Sequence, residues 1–178
     1  MHKHLLRIAA FGMGLMATTL SQASPYSIDL GLGYGQTGIS GLGGRSGISY
    51  FVDGNYTLYR YLSAQINFTT FPSVGSLSHN NYAFGGNIKG QLPITPAFDA
   101  FARLGLGFTH SAYKTDATVL GRNIQSGQSF TNGTIYWGLG TNYHMAPHIG
   151  LVAQWLRYNQ SGTNPSRWAL LTGIHYSF

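Results

Sequence analysis

The chain has no cysteine, and its four acidic residues are all aspartates, so glutamate is missing too. Without thiols there is no disulfide framework, no thiolate metal cage and no cysteine nucleophile. Charge of either sign is scarce. Asp, Lys and Arg make up 8% of the 178 residues, where an ordinary soluble domain carries about 25%. Beyond the N-terminal segment no apolar run approaches the ~20 residues that a membrane-spanning helix needs. The six prolines fall before or between the alternating runs described below, where they break no ladder.

What is present is glycine, at 25 of 178 residues against a usual share of about 7%, together with 12 Tyr and 10 Phe. The N-terminus reads as a secretory signal. Lys3 and Arg7 form a positive start, Ile8 to Leu20 is mostly apolar, and Ser21-Gln22-Ala23 offers small residues for cleavage after Ala23. Removing 23 of the 178 residues leaves 155, with eight of the ten cations and all four acids, a formal charge of +4. We expect residues 1–23 to be a signal peptide and 24–178 to be one domain. An exported chain poor in charge, with no hydrophobic helix, has one other way to satisfy its backbone in lipid: a closed β-barrel.

Period-two alternation supports that choice. It appears eight times, over Tyr26–Gln36, Ser46–Leu58, Leu62–Phe71, Asn81–Leu92, Phe98–His110, Gly133–Tyr143, His148–Tyr158 and Arg167–Phe178. In the third run Leu62, Ala64, Ile66 and Phe68 oppose Ser63, Gln65, Asn67 and Thr69. The run His148–Tyr158 is the least regular, with Val152 and Leu156 on the otherwise polar side. Each run has about the 9–11 residues of a tilted membrane-crossing strand. The gaps between runs alternate long and short, as extracellular loops and periplasmic turns do in up-and-down barrels. An even strand count with both ends on the short-turn side puts both termini in the periplasm.

Alternation does not say which face is out. A soluble lipocalin-like barrel is apolar inside, but the polar set here is glycine, Ser, Thr and Asn with little charge, a poor soluble surface. The apolar set has Tyr34, Trp155 and Trp168 near the long-gap ends and Tyr56, Phe98, Tyr143 and Tyr176 near the short ones. Two aromatic belts fit two membrane interfaces. The fold class is therefore all-β, an eight-stranded antiparallel up-and-down transmembrane β-barrel with a polar interior.

With these eight runs and the final Gly-Ile-His-Tyr-Ser-Phe, the chain resembles the small eight-stranded outer-membrane barrels of Gram-negative bacteria: the OmpA transmembrane domain, the OmpX/Ail group and the opacity-type porin-like proteins. The resemblance covers about Ser24 to Phe178. It implies an outer-membrane location and no cofactor. It implies that Tyr176 and Phe178 serve as the signal read by the barrel-assembly machinery and that the protein is a monomer; with the last run ending the chain, we expect the peptidoglycan-binding domain of OmpA to be missing. A structural or adhesive role through the long loops is what the resemblance suggests.

The inward set contains Asp29, Asp53, Lys89 and Arg103, which we expect to pair in a plugged lumen, since an eight-stranded barrel has room only for side chains. A narrow pore is the alternative. A rim of cations, Arg45, Lys114, Arg122, Arg157 and Arg167, lies in or beside the long gaps, suited to lipopolysaccharide phosphates or to an anionic host or matrix partner. The polar gap 111–132 is where a specific partner would dock.

Lipid A-modifying enzymes of similar architecture prompt a check for catalysis. His110 and Ser111 are adjacent and so point to opposite faces of a strand, and no amphipathic helix precedes the first run. We expect no enzyme and no catalytic residue. His79, His110, His144, His148 and His175 are scattered, so no metal site is expected. Gly41-Leu42-Gly43-Gly44 precedes a strand and is no phosphate loop. No nucleic-acid partner is indicated.

Overall fold

The computed structural model describes residues 25–39, 43–73, 78–113, 117–119, 122–124, 126–159 and 166–178. Eight strands close into an antiparallel barrel: β1 Tyr26–Ile39, β2 Gly43–Tyr59, β3 Leu62–Phe71, β4 Ser78–Thr95, β5 Phe98–Tyr113, β8 Ser129–Ala146, β9 Ile149–Asn159 and β10 Ser166–Ser177. Between β5 and β8 a separate two-stranded ladder pairs β6 Ala117–Val119 with β7 Arg122–Ile124. Each barrel strand pairs with its sequence neighbours, and β10 closes onto β1 from Ser27↔Ser177 to Gly38↔Ser166. Closure leaves no strand edge in lipid, which is the physical condition for crossing a membrane with strands. No helix among the described residues is long and apolar enough to cross.

The faces sort as the aromatic belts predict. Leu30, Leu32, Tyr50, Val52, Ile66, Phe84, Ile88, Leu104, Leu106 and Leu139 are exposed on the outside. Asp29, Asp53, Gln65, Asn67, Lys89, Arg103 and Gln154 are buried inside. The interior also holds an apolar set that the alternation did not announce: Phe51, Phe101, Tyr136, Val152, Leu156, Tyr158 and Leu171. This is why His148–Tyr158 looks irregular. Val152 and Leu156 are inward-facing apolar residues opposite outward-facing Leu151 and Ala153.

Two expectations about the strands need correction. The gap 111–132 is partly ladder, since β5 and β8 stay paired up to Ala112↔Ser129. Antiparallel hydrogen bonding does not stop at the membrane surface; only the apolar alternation does, so the polar extension left no periodic signal. Pro93 lies inside β4, opposite Asp99, where the register shifts between Pro93 and Thr95. A bulge at a strand end tolerates the missing N–H.

Candidate functional site

The register builds the lumen site. Asp29 on β1 and Asp53 on β2 are direct cross-strand partners. Lys89 on β4 and Arg103 on β5 are direct partners on the far wall. Like charges opposite one another on a sheet repel, and each pair is buried, so neither wall is tolerable alone. Curvature brings the walls together. Lys89 Nζ lies 3.7 Å from Asp29 Oδ2, and Arg103 Nη1 lies 2.9 Å from Asp53 Oδ2.

Strand β3, between the walls, supplies two of the linking amides, Gln65 and Asn67, with Asn55 from β2 and Gln154 from β9. Arg103 Nη1 also donates to Gln65 Oε1 at 2.8 Å, Gln65 donates to Asn55 Oδ1 at 2.7 Å, and Asn55 donates to Asp29 Oδ2 at 3.2 Å. Asn67 and Gln154 donate to the two oxygens of Asp53 at 3.0 and 3.2 Å. The Lys89 ammonium also sits 4.2 Å from the centre of the Phe101 ring, a cation–π contact that offsets part of its desolvation.

Toward the long-loop end, Tyr158 donates to Asn67 Oδ1 at 2.9 Å and stacks on Tyr136 at 4.9 Å. Phe71 meets Tyr158 edge-on at 5.3 Å, and the Arg167 guanidinium lies 5.6 Å from the Phe71 ring. At the short-turn mouth His175 Nδ1 is 2.5 Å from Asp29 Oδ1, His144 Nε2 is 2.7 Å from Asp99 Oδ2, and the two imidazoles are 6.2 Å apart. Among the described residues no three metal-type ligands converge. The result is a linked column of buried side chains from Asp29 to Tyr158.

The structure brings Asp29, Asp53, Lys89 and Arg103 together; of the five rim cations it describes the side chains of Arg45, Arg157 and Arg167. Arg45 and Arg157 are exposed at the long-loop end. Arg122 belongs to β7, of which only the backbone is described, and Lys114 lies outside the described residues. Arg167 is a correction: it is 1% exposed, turned into the barrel, and donates to Ser111 Oγ. The parity of the strand decides this. Trp168 and Leu170 face out, so Arg167 faces in. Ser111 is inside with it, while His110 faces out beside Tyr82, so the adjacent pair is split across the wall.

Sequence reading missed the mouth pair His144–Asp99, whose members lie 45 residues apart; the neighbouring-strand pairing Asp99↔Asn142 brings them close. At the C-terminus the Tyr176 and Phe178 rings meet edge-on at 5.2 Å, and Phe178 N donates to Tyr26 O at 3.2 Å, tying the last residue to the first strand.

Residues 8–178 match the family of the outer membrane protein beta-barrel domain. No curated protein sequence matches the chain. Among solved structures it is similar to Neisserial surface protein A, with a TM-score of 0.70 at 14% identity over 89% of this chain and 100% of that one. The attachment invasion locus protein Ail of Yersinia pestis gives 0.60 at 13% identity, over 87% and 99%. The N-terminal β-barrel domain of Pseudomonas aeruginosa OprF gives 0.59 at 12% identity, over 88% and 100%. At these identities the likeness concerns the fold. The chain belongs to the outer membrane protein beta-barrel domain family.

Proposed function

We propose that this outer-membrane barrel is a non-enzymatic surface protein whose long loops hold an anionic partner, with both termini in the periplasm. The observation that carries the reading is the division of its cations. Lys89 and Arg103 are consumed by buried pairs, while Arg45 and Arg157 stand exposed at the long-loop end, free to meet lipopolysaccharide phosphates or a sulfated host or matrix chain. The structure of Ail in complex with the heparin analogue sucrose octasulfate makes a polyanion a reasonable partner to test first. In this reading residues 1–23 are removed on export, the barrel-assembly machinery reads Tyr176 and Phe178, and the barrel works as a monomer.

The test is adhesion of cells displaying the protein to heparin-coated beads. Arg45→Glu with Arg157→Glu is expected to lower capture several-fold and to weaken its dependence on salt. Capture unchanged by the double variant would sink the adhesive reading. A filled lumen predicts no single-channel conductance in planar bilayers; a steady conductance that disappears in Arg103→Trp would favour a pore instead.

A further inference from the structure

The lipid-facing wall of β4, β5 and β8 is indented toward the long-loop end. Two outward rows run across it: Phe84↔Phe108↔Gly133, and two residues nearer the membrane centre Gly86↔Leu106↔Ile135. The glycines carry nothing outward, so the large side chains beside them wall a groove of about 540 Å³. A Cβ built on Gly133 would meet no atom within 4 Å, and one on Gly86 would come no closer than 3.9 Å to its nearest neighbour.

Directly above the groove the chemistry changes. The next outward row is Tyr82↔His110↔Thr131. Tyr82 stacks on His110 at 4.9 Å, and His110 Nδ1 is 2.9 Å from Thr131 Oγ1. At about 3.3 Å per residue and a tilt of about 40°, Ala100 to His110 climbs about 25 Å, the height of the apolar band. The polar row therefore stands at the interface and the groove just beneath it. Asn159 of β9, opposite Ile135, closes one side of the groove.

We propose that this groove binds one acyl chain of a phosphorylated outer-leaflet glycolipid, whose head group lies against Tyr82, His110 and Thr131. The inference rests on the reading above that the long-loop end faces outside. The occupant follows from the surroundings. At that depth there is no water to fill an apolar hollow, and leaving it empty forfeits the contacts of every lining atom. The membrane's own hydrocarbon is the available filler. The polar row makes the site more than passive solvation. A phenol, an imidazole and a hydroxyl, already held to one another, can donate to and accept from sugar hydroxyls and phosphate oxygens.

The test uses the full barrel, purified in detergent and exposed to purified bis-phosphorylated lipid A or to phosphatidylethanolamine, with bound lipid counted by native mass spectrometry. Wild-type protein is expected to retain one lipid A. Gly133→Leu and Gly86→Leu, each with room for the new Cβ, are expected to lower retention about tenfold, and His110→Ala about three-fold. A heat-dependent gel shift identifies which variants are folded. Equal lipid A retention by the wild type and either folded leucine variant overturns the groove. Equal retention of phosphatidylethanolamine overturns the choice of glycolipid. Orientation is read separately, by labelling Ser126→Cys on intact cells, and does not affect retention in detergent.

Discussion

Gly105 on β5 and Gly133 on β8 lie on neighbouring strands of one wall, and an added methyl would meet opposite fates. Inside, a Cβ on Gly105 would lie 2.7 Å from the Tyr136 ring and 2.5 Å from the Gly86 carbonyl oxygen. Outside, a Cβ on Gly133 would touch nothing within 4 Å. The inner face is filled by protein and the outer face is completed by lipid. The same residue type is a packing requirement on one side and an unfilled hollow on the other. The lesson extends to charge: the inner face holds Asp29, Asp53, Lys89 and Arg103 buried because they face one another, while lipid on the outer face has no partner to offer an ion.

The largest expected break in this comparison is on the inside. Arg103→Met leaves Asp53 buried without its cation, and the barrel should lose about 3–5 kcal/mol. Urea unfolding in phospholipid vesicles, followed by tryptophan emission, measures it. Adding Asp53→Leu to that variant is expected to restore most of the loss, since the cost lies in the orphaned charge. A double variant no more stable than the single one would mean that the network holds the barrel by its hydrogen bonds instead.

Next comes the outside. Leu104 lies in mid-band and Leu92 near the short-turn end, and both are exposed. Leu104→Arg should destabilise by about 2–4 kcal/mol and Leu92→Arg by no more than about 1, because the lipid penalty depends on depth. Equal penalties would put the apolar band elsewhere along β5. The glycine pair follows. Gly105→Ala overpacks against Tyr136 and should cost about 1–3 kcal/mol, while Gly133→Ala should stay within about 0.5 kcal/mol.

How legible was all this in the sequence? The eight strands were readable because lipid on one face and a packed lumen on the other force alternation at every crossing; Leu62–Phe71 came out with the observed bounds. The acid and cation sets were readable from parity alone. That Arg103 and Lys89 pair with Asp53 and Asp29 was expected because buried charges need counter-charges; the distances were not readable, because Asp29 and Lys89 meet across a closed barrel whose curvature no local pattern encodes. Arg167 was misjudged by its closeness to a loop, although Trp168 beside it carried the parity that turns it inward. Val152 and Leu156 concealed their strand's facing because the lumen accepts apolar rings and chains as readily as amides. The β6–β7 ladder and the extended ends of β5 and β8 were hidden because, outside the membrane, a ladder needs no apolar face.

The smallest effect sharpens the comparison most finely. Tyr158 and Tyr50 are both strand tyrosines, one buried and one 55% exposed on the outer wall. Removing the Tyr158 hydroxyl strips a 2.9 Å bond from Asn67 Oδ1, an acceptor with no water to replace it, so Tyr158→Phe should destabilise by about 1 kcal/mol. The ring remains, and with it the stack on Tyr136, so packing is unchanged and only the hydrogen bond is read. Tyr50→Phe keeps its ring against lipid and should change stability by less than about 0.5 kcal/mol. If the two variants proved equally mild, the lumen would have to admit water to Asn67. The packed interior, and with it the expectation of no conductance, would then be in error.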